Sequence, residues 1–165
     1  MTEVKFIIQG QEIGAHLNII SHNPVMATML NEKFVEGQSR QVIINNIEPE
    51  IFHHLLHYLY DPVPPLIDDM LKLEQLLAAT EMYRVVGLKD FCEDSLIGSL
   101  KEDNVVRLLV IAHLQSATRL LETCFNFLSR TDDYFWSSVE WKELMDEYPD
   151  LFFQASKRMC VGRTQ

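Results

Sequence analysis

A chain of 165 residues, 47% hydrophobic and 23% charged, is long enough for one core of ordinary size or two small ones packed together. Its 14 Lys and Arg are scattered and outnumbered by 24 Asp and Glu, and the resulting net charge of -10 argues against nucleic acid and for a basic protein surface as partner. No apolar run approaches the roughly 20 residues of a membrane span, and Met1 to Gln9 lacks a basic region followed by a cleavage site, so no membrane partner and a location in nucleus or cytoplasm are expected.

Val4-Lys5-Phe6-Ile7-Ile8, then Gln9-Gly10-Gln11-Glu12 and Ile13, predicts a strand, a tight turn at Gly10 and a second short strand. Asn23-Pro24 places a capping side chain before a proline at the first helical position, and Val25, Met26, Met29 and Leu30 follow at helical spacing. That helix is expected to end near Leu30. The polar stretch Asn31 to Gln41 is interrupted by one large aromatic, Phe34, with Glu36 two residues on. Gln41 to Asn45 reads as a third strand. Pro49 opens a helix whose Phe52, Leu55, Leu56 and Leu59 form one apolar face before Asp61-Pro62 ends it.

The next helix runs from about Asp68, through Leu73, Leu76, Leu77 and Tyr83, to a stop at Gly87, and from there the pattern is helical throughout. Asp103-Asn104 can cap Val105 to His113, Ser116 can cap a run through Leu120, Leu121 and Leu128, and Asp150 can cap the last helix through Met159. No Gly-, Pro- or Ser-rich linker intervenes, so a boundary is expected near residue 100 between a mixed region, 1–100, and a helical one, 101–165, packed directly together. Cys92, Cys124 and Cys160 are odd in number and far apart, which suits reduced thiols rather than a disulfide framework or zinc knuckle.

Several motifs in order carry a resemblance. Gly10-Gln11-Glu12-Ile13-Gly14-Ala15-His16, Ser21 to Leu30, Val42 to Phe52, and Leu76-Leu77-Ala78-Ala79 to Tyr83 resemble a BTB/POZ domain, close to that of the speckle-type POZ protein group. The resemblance covers roughly residues 3 to 100. Ala112 to Ala117 and Trp141 to Met145 resemble the three-box and the start of the BACK region that follow such domains. The resemblance implies an α+β BTB/POZ fold, a helical cluster with a small sheet, followed by an all-α three-box/BACK-like region. It also implies a substrate-receptor adaptor of a cullin-3 RING ubiquitin ligase. The alternative is a BTB oligomerisation or corepressor-recruitment module of a transcriptional regulator, but no zinc-finger spacing accompanies it here.

The family's cullin-contact motif, a hydrophobic residue, any residue, then Glu, reads here Phe34-Val35-Glu36. An aromatic ring entering a partner's pocket supplies a hot spot, and a nearby carboxylate can take a hydrogen bond from the partner. On spacing alone, Met26, Leu30 and Phe34 stand at i, i+4 and i+8, and Phe34 extends the buried stripe of its helix. The resemblance instead places it in the loop, as the cullin anchor. Tyr60, at the end of a helix that lies beside this loop in the family, is a second cullin candidate or a core residue.

His53 and His57, at i and i+4 with His54 beside them, superficially suggest a zinc-protease helix, but the Glu after the first His is missing and no third ligand is evident. They read as a solvated helix face, His16 as a hydrogen-bonded fold residue, and Cys92 as core beside Leu88, Phe91 and Leu96. There is no Gly-rich phosphate loop and no nucleophile in a recognisable setting. Asp68-Asp69 reads as the acidic first turn of a helix and Asp132-Asp133 as a loop. A non-enzymatic adaptor, without cofactor or metal, is expected. The group's MATH domain and the helix before its first strand have no counterpart ahead of Val4. The ubiquitination substrate would therefore be held by a missing or separate domain, and the chain should be a monomer or weak homodimer.

Overall fold

A computed structural model describes residues 3–34 and 40–163. Strands β1 (Glu3–Ile8) and β2 (Gln11–His16) form an antiparallel hairpin with Ile8 opposite Gln11. Its two turn residues, Gln9 and Gly10, both have positive φ, 49° and 79°, the conformation whose twist matches that of a two-residue hairpin. Strand β3 (Gln41–Ile44) lies parallel on the other flank of β1, giving the order β2-β1-β3. Alternation then decides the faces: Val4, Phe6, Ile8, Val42 and Ile44 are buried, while Lys5, Gln41 and Ile43 point to solvent.

The chain divides into two compact units, 1–92 and 93–165. In the first, the sheet is joined by α1 (Leu17–Ile20), α2 (Pro24–Phe34), α3 (Pro49–Tyr60), α4 (Met70–Tyr83) and the start of α5 (Val86–Gly98). Its core is threaded by aromatic contacts: Phe6 of β1 meets Phe52 of α3 at 4.9 Å between ring centres, and Phe52 meets Tyr83 of α4 edge-on at 6.2 Å. Asn23 performs the expected cap, its Oδ1 accepting the Met26 N–H at 2.9 Å, and adds a bond the sequence did not reveal. Its Nδ2 donates to the Tyr83 carbonyl at 2.8 Å, joining the start of α2 to the end of α4.

Three boundaries differ from expectation. Helix α2 continues one turn past Leu30 to Phe34, because Glu32 and Lys33 are good helix formers and no Gly or Pro intervenes between Leu30 and Gly37. Phe34 thus closes the helix instead of lying within a loop. The start of the next helix is set by Asp69, whose Oδ1 accepts from the N–H groups of Leu71 and Lys72, so Asp69 is a cap and not a first-turn residue. Helix α4 stops at Tyr83, not Gly87, because Arg84 takes the left-handed conformation that terminates a helix. Gly87 is instead inside α5, where a Cβ would collide with the Tyr58 hydroxyl of α3.

The second unit is helical: the rest of α5, α6 (Val105–Leu114), α7 (Thr118–Leu128), a 3-10 helix (Asp133–Ser137), α8 (Val139–Glu147) and α9 (Pro149–Arg163). Its aromatic centre is Trp141, with Phe135, Trp136 and Phe152 rings 5.8, 5.7 and 4.9 Å away. Asn104 occupies the position before α6 but turns its side chain backwards, accepting from the Lys101 N–H and donating to the Ser99 carbonyl. The N-cap position of α7 falls on Ala117, one residue after Ser116. The buried Glu93 carboxylate on α5 caps the helix from a distance, accepting the Leu120 N–H at 3.0 Å. Asp150 lies within the first turn of α9, which Pro149 opens. Asp133 belongs to the 3-10 helix, not to an open loop.

Candidate functional site

The sequence-derived site residues occupy the ends of two helices. Phe34 is the last residue of α2, and Val35 and Glu36 lie outside the described residues. Tyr60 is the last residue of α3 and is 40% exposed, so it is not a core residue. Its hydroxyl accepts the His16 backbone N–H at 2.6 Å and sits 2.8 Å from His16 Nδ1, with the two rings edge to face at 5.9 Å. With the imidazole proton on Nε2, the Nδ1 lone pair takes the tyrosine O–H, so the hydroxyl both accepts and donates. Tyr60 therefore fastens the end of α3 to the end of β2 while presenting the rest of its ring to solvent. This pairing spans 44 residues, and no local pattern in the sequence signals it.

The rest of α3 carries the histidines. His53 and His57 are exposed on one face, and His54 is half-buried. Burial pushes the His54 imidazole below its ordinary value, opposed by the Glu50 carboxylate and reinforced by Lys72. Glu50 itself is held below the usual carboxylate range by its 2.9 Å hydrogen bond from Lys72 of α4. Among the described residues no group of three His, Cys, Asp or Glu side chains is placed to hold a metal ion.

A hollow of about 230 Å³ lies where β1 and β3 end against α3 and α4. Its apolar wall is Ile47, Ile51, Ala79 and Met82, and its polar wall combines the carboxamide residues Gln9, Asn45, Asn46 and Gln75 with Glu48. Among the described residues no helix is long and apolar enough to cross a membrane.

A three-stranded sheet joined by helices, with exposed aromatic and aliphatic side chains such as Tyr60 and Ile43, is the architecture of the first unit. The BTB/POZ domain model matches residues 1–100, and the chain belongs to the BTB/POZ family. Among solved structures it is similar to the BTB (Tramtrack and Bric a brac) domain of human Gigaxonin. The two are 20% identical, with 55% of this chain and 74% of that one covered, at a TM-score of 0.47.

Proposed function

We propose that this BTB/POZ protein is a substrate-receptor adaptor of a cullin-3 RING ubiquitin ligase, a non-catalytic bridge acting in nucleus or cytoplasm. The observation that carries the reading is Phe34-Val35-Glu36 within a BTB/POZ domain, beginning at the last residue of α2 and ahead of β3. The motif matches the family's cullin contact in residue type and spacing. Phe34 would be the anchor, Glu36 a rim carboxylate, and Tyr60 an adjoining aromatic whose hydroxyl is already satisfied by His16, leaving its exposed ring edge for the partner. The three-box-like helices α6 and α7 would widen the contact and slow dissociation. The net charge of -10 favours a basic partner surface.

The test is Phe34→Ala, measured for both cullin affinity and melting temperature. Burying a Phe ring is worth roughly 1.5 to 3 kcal/mol, so an anchor lost at about 2 kcal/mol weakens affinity about thirtyfold while the melting temperature hardly moves. A variant that melts far below the parent, or that binds the cullin N-terminal domain as tightly, rejects the anchor. Glu36→Ala should cost less, because a rim carboxylate is partly solvated.

A further inference from the structure

The hollow at the ends of β1 and β3 plays no part in the cullin reading. It adjoins a second hollow of about 510 Å³, and the two share Gln9, Glu48, Ile51 and Gln75 as a common wall. Four separate elements bring its polar groups together. Gln9 is in the turn that ends β1, Asn45 and Asn46 follow β3, Glu48 holds the N-cap position of α3, and Gln75 is an exposed residue of α4. None of these five side chains makes a hydrogen bond or ion pair with another described residue, so all of them are available to a ligand. Ile47, Ile51 and Ala79, all buried, and the half-exposed Met82 supply the apolar lining.

Charge decides what such a wall can take. Glu48 is the one charged residue named for the first hollow among the described residues. The second is lined by Glu48 and Glu50 with His53 and His54, and Glu50 is already paired with Lys72 at 2.9 Å. Glu48 is therefore the carboxylate that no described cation neutralises. An anion would meet it head on, and the positive end of α3 offers little relief, since Pro49 has no N–H and Glu48 and Glu50 flank it with carboxylates. An apolar side chain would strip water from Glu48 and four carboxamides without replacing it. A guanidinium does replace it: its five N–H donors suit a carboxylate and carboxamide oxygens together, its plane is weakly hydrated, and its methylene stem can lie on an apolar lining.

We propose that this hollow is a docking site for an arginine side chain carried on a partner's peptide segment, with Glu48 as the paired carboxylate and the carboxamide oxygens as further acceptors. The second hollow leaves room for the chain that carries it. The net charge of -10 draws such a segment in. The site needs neither Phe34 nor Tyr60, and Phe34→Ala should leave it intact.

The experiment titrates the whole isotope-labelled protein with end-blocked alanine peptides carrying arginine, citrulline or lysine at the centre. The side-chain amide resonances of Gln9, Asn45, Asn46 and Gln75 report occupancy directly. The arginine peptide should shift them and saturate, and the effect should weaken as salt is raised. Citrulline, which keeps the shape and loses the charge, should bind at least about tenfold more weakly, and lysine more weakly than arginine. Glu48→Gln should reduce the arginine peptide to the citrulline level without changing the melting temperature, because the Glu48 side chain makes no capping bond to α3. Met82→Lys, a cation at the rim, should also weaken binding. No shift of those four resonances at millimolar arginine peptide, equal binding of citrulline or lysine, or full binding by Glu48→Gln would each overturn the assignment.

Discussion

Asn23→Ala is the perturbation that most directly tests how the first unit is held. Asn23 is 6% exposed and makes two bonds of different kinds: its Oδ1 caps α2 by accepting the Met26 N–H at 2.9 Å, and its Nδ2 donates to the Tyr83 carbonyl at 2.8 Å. Removing a cap of this type costs about 0.5 to 2 kcal/mol. Leaving a buried carbonyl without its donor costs about 1 to 3 kcal/mol more, and Tyr83 is itself buried. The two losses share one side chain and add imperfectly, so about 2 to 4 kcal/mol is expected. In urea that lowers the midpoint by about 1 to 2 M. Both tryptophans, Trp136 and Trp141, lie in the second unit, so the transition should be followed by far-ultraviolet circular dichroism and not by tryptophan fluorescence alone. Asn23→Ser, which keeps a capping oxygen but is too short to reach the carbonyl in the same way, should recover about 1 kcal/mol. A midpoint for Asn23→Ala within error of the parent would refute the argument that this residue ties α2 to α4.

Gly87→Ala ordinarily gains about 1 kcal/mol of helix propensity, but here the new methyl meets the Tyr58 hydroxyl, and overpacking of about 1 to 3 kcal/mol should win. Adding Tyr58→Phe should restore most of it, since the next ring atom is 3.4 Å away; a single variant more stable than the parent refutes the clash. Cys92 and Cys124 are buried and Cys160 exposed, and burial pushes the Cys124 thiol up to about 12, so at pH 8 a thiol reagent should label Cys160 rapidly and the other two only in denaturant. Peptide mapping that finds Cys124 labelled in the native protein contradicts this.

What the sequence by itself determined is what neighbouring residues can decide among themselves. The alternation from Val4 to Ile8, the turn at Gly10 and the Asn23-Pro24 start of α2 each follow from contacts within a few residues, and all three stand in the structure. The motif Phe34-Val35-Glu36 was legible in the same local way, by residue type and spacing. The tertiary structure decided whatever depended on a distant partner. Glu93 caps α7 from 27 residues away, and Arg84 accepts a left-handed backbone that a local reading assigns to Gly87. Pattern alone suits Tyr60 equally to core or interface, and its exclusion from the core follows only from its 40% exposure and its hydroxyl's contacts with His16. Propensity and periodicity are short-range properties of a chain, whereas a hydrogen bond between residues 16 and 60 exists only once packing has brought the end of β2 against the end of α3.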